Sequence, residues 1–153
     1  DKVKDLFWCE LGYQTPKLET RAAVFQDGKI LLVQENDGKW SLPGGWCDVN
    51  ISARENTVKE VKEEAGLEVS ADWVIAVQDR EKHNRPVHAY KVCKIFVMCS
   101  VLGGEFTPNI ETVASGFFGL DELPKLAEEK NNAEQIKMCF DARRAEHWNV
   151  FFD

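Results

Sequence analysis

A mixed α/β fold is the architecture this sequence predicts, and three observations carry that expectation. Runs of β-branched and aromatic residues, punctuated by turn residues, alternate with two stretches of helical periodicity. Asp27-Gly28 falls between two of the β-rich runs, Arg21–Phe25 and Lys29–Val33, and that dipeptide in that setting specifies a tight hairpin. A helix between Ser52 and Gly66 has both ends written into it, because Ser52 with Glu55 makes a capping box and Gly66 is a stop. The chain has 153 residues, enough for one domain with a substantial core.

Residues 1–18 hold no single period and are expected as an N-terminal extension, with the domain proper at 19–153. Leu6, Phe7 and Trp8 are too apolar for a free tail and are expected to lie on the domain or on a preceding element, since the sequence opens on Asp1 rather than Met. After the hairpin, Lys39–Trp46 carries a short strand into the turn Gly44-Gly45, where the backbone can approach a ligand or take positive φ. Glu68–Asp79 reads as strand, Arg80–Val87 as a polar loop, Tyr90–Leu102 as a longer strand closed by Gly103-Gly104, and Ala114–Leu120 as a short strand. A helical turn is expected from Asp121. Asn132–Ala145 reads as a helix that docks through Ile136, Cys139 and Phe140.

Composition narrows the function classes. A net charge of −7 argues against a surface that neutralises a nucleic-acid backbone, but a small phosphorylated ligand is compatible with it when a cation supplies the positive charge. No apolar run reaches the length of a membrane span, and no signal peptide opens the sequence. Five cysteines, with no CxxC pair among them, point to reduced thiols and a cytoplasmic setting. Cys93 and Cys99 are expected in the core; Cys47, in the loop after the glycines, is a candidate reactive thiol.

The chemistry concentrates on the first helix. Glu60, Glu63 and Glu64 stand at i, i+3 and i+4 and share an arc of about 100°. Val58, Val61 and Ala65 occupy the neighbouring arc and give the helix a face to dock. Three crowded carboxylates repel one another unless solvent, a basic partner or a divalent cation compensates. A Gly-Gly turn followed by such a helix suits Mg²⁺, which takes a few carboxylates together with waters and substrate phosphates.

From Gly45 through Ile51 and Lys59 to Glu60-Val61-Lys62-Glu63-Glu64-Ala65-Gly66-Leu67, the spacing resembles the Nudix box, G-x5-E-x7-R-E-U-x-E-E-x-G-U with U aliphatic. Seven of the nine specified positions match; Ile51 stands for the glutamate and Lys59 for the arginine. The flanking stretches TPKLETRAAVFQDGKILLVQENDGKWSLPGGW and IETVASGFFGLDELPKL are also similar to the family, in particular to a bacterial branch of CDP-choline and ADP-ribose pyrophosphatases with a small N-terminal helical segment. The resemblance implies an α/β/α sandwich with a mixed sheet, Mg²⁺ or Mn²⁺ as cofactor, a small nucleoside diphosphate derivative as substrate, and a homodimer. It implies hydrolysis of the diphosphate to a nucleoside monophosphate and phospho-X. By position it makes Glu60 and Glu64 the main metal ligands, Glu63 a further ligand or base, and the Gly44 carbonyl a backbone ligand. Glu111 corresponds to an acidic position that binds metal or acts as base, against the plainer role of a solvated loop carboxylate.

The substrate contacts stay open at this point. Trp46 either stacks a base or caps the core, and Arg21 meets either phosphate or a strand-edge acid. His83, Arg85 and His88 lie in or beside the loop that varies among substrate classes, and a structural or solvated role competes for each. Losing both box residues leaves no stranded charge, because Ile51 needs no partner and Lys59 reaches solvent or Glu63, so the fold is expected to survive. Activity is the more exposed property: lysine lacks the planar fork of arginine, and Asn50 replaces a common glycine. The alternative function is therefore a weakened domain that binds or senses a nucleotide derivative without turning it over.

Overall fold

Strands β1 (Lys17–Gln26) and β2 (Lys29–Glu35) each carry an unbroken apolar run, Ala22 to Phe25 and Ile30 to Val33, because both faces of their sheet are covered there. Ala22 and Val24 of β1, with Leu31 and Val33 of β2, face one helix, while Ala23, Phe25, Ile30 and Leu32 face the other. The computed structural model describes residues 14–153. Leu6, Phe7, Trp8 and the expected N-terminal helical segment lie outside the described residues, and β1 begins inside the stretch expected as an extension.

The remaining elements are β3 (Trp40–Ser41), β4 (Gly44–Trp46), α1 (Ala53–Ala65), β5 (Leu67–Asp79), β6 (Val92–Gly104), β7 (Thr112–Phe118), α2 (Ala133–Arg144) and β8 (Phe151–Phe152). They form a mixed sheet in the order β3-β2-β1-β6-β5-β8, with β4 added to β1 and β7 to β2. β1 runs parallel to β6 from Lys17↔Val92 to Val24↔Cys99, and its other edge is divided. Glu19, Thr20 and Arg21 pair with β4, whereas Phe25 and Gln26 pair with β2. That division brings the glycines of β4 beside α1.

Most elements follow the sequence reading. The hairpin turn places Asp27 at φ 52° and Gly28 at φ 75°, the paired left-handed geometry of a type I′ turn. Ser52 and Glu55 cap α1 reciprocally, and Gly66 ends it in the left-handed conformation. Val61 and Ala65 are buried under the sheet; on the opposite face Ile136, Cys139 and Phe140 of α2 are buried, with Phe140 edge-on to Phe25 at 5.0 Å. β8, only two residues long and exposed, is too short to show a period and was not expected. The loop after β5 is less polar in role than its composition implies: Arg80 is buried and donates to the Glu129 and Pro86 carbonyls. Among the described residues no helix is long and apolar enough to cross a membrane.

Phe140→Ala removes the largest apolar contact of the α2 stripe and is expected to lower unfolding stability by about 3–5 kcal/mol. Urea titration checks this; a loss below about 1 kcal/mol would show that α2 is not anchored there.

Candidate active site

A cleft of about 720 Å³ opens where β1, β4 and α1 meet. Its acids are Glu35, Asp37, Asp48, Glu60, Glu64 and Glu111, and its cations are Arg21, Lys59 and Lys130. Each cation is already engaged. Arg21 donates to Glu19 at 2.8 Å and to the Leu42 carbonyl at 2.8 Å, Lys59 lies 3.4 Å from Asp48 and 3.7 Å from Glu60, and Lys130 pairs with Glu35.

The floor is built by close approach. A Cβ on Gly44 would stand 2.0 Å from the Thr20 carbonyl oxygen, and one on Gly45 would stand 3.0 Å from Glu60 Oε1. Neither glycine has positive φ, so it is space and not left-handed backbone that these positions require. The Gly44 N–H donates to Glu64 Oε2 at 3.0 Å. Asn56 ties α1 down by donating to Thr20 Oγ1 at 2.8 Å and to the Gly45 carbonyl at 3.3 Å.

Glu64 is 8% exposed. Burial pushes its carboxyl up; Arg21 opposes that, the neighbouring Glu60 carboxylate adds to it, and the result is about 8. A buried carboxyl held against a second carboxylate is a donor set suited to a divalent cation, whose charge offsets their repulsion. Among the described residues no group of three or more His, Cys, Asp or Glu side chains is placed to hold a metal ion. Glu60 and Glu64 both line the cleft, and two carboxylates suit Mg²⁺ or Mn²⁺, which fill the rest of their shell with water and substrate oxygens.

Behind the cleft, Glu19 sits between Arg21 and Lys94, with Lys94 Nζ 3.1 Å away and also donating to the Lys130 carbonyl. Burial alone would raise the Glu19 carboxyl, but the two cations hold it down at about 2. Burial lowers Lys94 to about 8 despite Glu19, because Arg21 and Arg80 add like charge around it. The plainer reading of Arg21, a strand ion pair, describes its hydrogen bonds, although its side chain also lines the cleft.

The structure separates the other sequence candidates. Glu63 is exposed and does not line the cleft; of the three crowded acids only Glu60 and Glu64 do, since Glu63 falls at the far edge of the arc. Glu111 lines the cleft, positioned by Asn109, which accepts from the Glu111 N–H, and by Thr112, which donates to the Glu64 carbonyl at 2.8 Å. Trp46 lines it too and is 41% exposed, so it does not cap the core. His83 faces away, 2.7 Å from Asp153 and edge-on to Phe151, and Arg85 donates to the Glu81 and Asn84 carbonyls. Both are structural contacts outside the cleft. His88 does not line the cleft either, but stacks on Tyr90. Cys47 is not activated: burial and Asp48 raise its thiol, which donates weakly to the Asp48 and Ile51 carbonyls. Lys59 turns to Asp48 and Glu60, not to Glu63. Asp48, Glu35 and Lys130 were missed because they come from separate loops and strand ends with no motif spacing to connect them.

The NUDIX domain family profile matches residues 16–139. A crystal structure of an ADP-ribose pyrophosphatase from Streptococcus suis is 62% identical and superposes with a TM-score of 0.86, covering 91% of this chain and 100% of that one. YjhB of Bacillus subtilis, whose name assigns it provisionally to the ADP-ribose pyrophosphatases, is 43% identical over 152 residues, 99% of this chain and 73% of its own. A crystal structure of a UDP-X diphosphatase is 30% identical with a TM-score of 0.86, covering 99% of this chain and 74% of that one. The chain belongs to the Nudix family, and with it to the pyrophosphohydrolases.

Gly45→Ala is expected to displace the Glu60 carboxylate and cut activity at least tenfold while leaving the unfolding midpoint within a few degrees, as paired kinetics and thermal melts check. The Glu19 carboxyl, at about 2 when folded against about 4.5 unfolded, contributes stability above pH 4.5 that is lost as pH falls toward 2, on the order of 3 kcal/mol. Urea midpoints between pH 5 and pH 2.5 are expected to fall steadily, and Glu19→Gln to flatten that decline while lowering stability at pH 7.

Proposed function

We propose that this chain is a divalent-metal-dependent hydrolase that splits the diphosphate of a nucleoside diphosphate conjugate, releasing a nucleoside monophosphate and a phosphorylated remainder. The observation that carries this reading is charge: the cleft holds six acids, and its three cations are each already paired. An anionic diphosphate enters such a cleft only together with cations. Glu60, Glu64 and the Gly44 carbonyl would hold the metal, which when bound neutralises phosphate oxygens and polarises phosphorus.

The chain's own residues supply the rest. Water attacks phosphorus as the bridging P–O bond breaks; the water proton passes to a carboxylate, and the leaving phosphate departs with the bridging oxygen. Glu111 is the base we assign, because it faces the cleft from a loop anchored on α1 and Glu63 does not. Lys59 and Arg21 orient Glu60 and the cleft floor, and Trp46 stands where the nucleoside would lie. The Streptococcus suis and UDP-X relatives make ADP-ribose the first substrate to try, followed by a UDP conjugate, and the sequence resemblance adds CDP-choline. A second reading, binding without turnover, is favoured by Ile51, which lines the neighbouring groove and brings no carboxylate to the cleft.

A product assay with Mg²⁺ or Mn²⁺ is expected to give AMP from ADP-ribose. Chelator and Glu64→Gln are expected to abolish it, and Glu111→Gln to lower kcat by about 10²-fold or more with little change in KM. Turnover seen only in Ile51→Glu/Lys59→Arg would favour the binding reading, and chelator-resistant turnover would contradict the metal-dependent one.

A further inference from the structure

Beside α2, on the face of the sheet opposite α1, a groove of about 460 Å³ shares no lining residue with the cleft. Met138, Trp148 and Phe151 wall it, and Gln78 contributes to its lining although only 3% exposed. A chain of hydrogen bonds fixes which end of the Gln78 amide meets the groove. The Asn132 backbone N–H can only donate, and it does so to Gln135 Oε1 at 2.9 Å. Gln135 Nε2 is then the donor of its side chain, and it reaches Gln78 Oε1 at 3.0 Å and Asn84 Oδ1 at 2.8 Å. That leaves the Gln78 NH₂ end turned to Met138. Among the described residues the one acceptor for its two protons is the Met138 sulfur, 3.6 Å away, and a thioether accepts weakly.

The walls are fixed and the charges around them largely cancel. Trp148 spends its indole N–H on the Ile75 carbonyl at 2.9 Å. Phe151, 41% exposed, is held in register with Ala76 and stands edge-on to His83 at 5.6 Å. Lys137 pairs with Asp141 at 2.8 Å and His83 with Asp153 at 2.7 Å, which leaves Glu134 as the lining charge without an ion-pair partner among the described residues. An anion is disfavoured beside that carboxylate, on a chain of net charge −7. We propose that this groove is a second ligand site, which takes an uncharged flat molecule bearing a carbonyl oxygen. The ring lies against Met138, Trp148 and Phe151, and the oxygen accepts from the Gln78 NH₂. The volume is that of a small-molecule site, and none of these groups takes part in diphosphate chemistry.

Two-dimensional amide NMR of the whole chain, titrated with benzamide and with benzoate as its charged isostere, tests the proposal without requiring turnover. Benzamide is expected to bind saturably, with a dissociation constant of about 1 mM or lower, and to shift the side-chain N–H signals of Gln78 and Trp148. Benzoate is expected to bind about tenfold more weakly. Gln78→Leu, which removes the donor, is expected to weaken benzamide about tenfold. Phe151→Ala, at an exposed strand edge, provides an independent second variant that is expected to weaken it as well, with circular dichroism confirming both folds. Excess AMP with Mg²⁺ is expected to leave benzamide binding unchanged, because the cleft is a separate place. No saturable binding, equal affinity for benzamide and benzoate, an affinity that survives both variants, or displacement by AMP would overturn the proposal.

Discussion

The approach of β4 to β1 and α1 is the constraint on which the site depends. With no side chain at Gly44, its backbone fits against Thr20 and its N–H reaches Glu64; with none at Gly45, the Glu60 carboxylate has room beside the strand. Asn56 then locks helix to strands with bonds to both. The carboxylates are thus aimed by backbone contacts, which cost no side-chain entropy at the moment a ligand arrives.

That aiming carries an electrostatic cost. Glu60 and Glu64 face each other with Glu64 buried, and the nearest cation, Arg21, is already shared with Glu19. Lys94 pairs with Glu19, and Lys59 is split between Asp48 and Glu60. The polar wall is therefore satisfied on its protein side and left anionic on its cleft side. On the function proposed above, such an arrangement would bind anions through cations, and its stability would then be coupled to cation binding.

The secondary structure was legible wherever local chemistry decides it: Asp27-Gly28 for the turn, Ser52 and Glu55 for the start of α1, and Gly66 for its end. Spacing also located the acid helix. What spacing cannot say is how a helix is rotated against its sheet, and that rotation put Glu60 and Glu64 in the cleft and left Glu63 outside it. Loop residues were harder still. His83 and Arg85 read as plausible substrate contacts but are consumed by Asp153 and by backbone carbonyls; Tyr90 and Lys17, which no motif marks, both touch Trp46 of the cleft wall. Lys59 meets a carboxylate from Asp48, three residues before Ile51, and the sequence spacing of the box does not mark that partner.

The most direct test of the central claim, that Glu60 and Glu64 together hold a divalent cation, is the thermal midpoint of the whole chain as a function of Mn²⁺, compared between the natural protein and Glu60→Gln. The account predicts a midpoint that climbs with Mn²⁺ in the natural protein and stays flat in the variant, whose metal-free midpoint is equal or higher because a facing charge is gone. Parallel rises in the two proteins would place the cation elsewhere and contradict it.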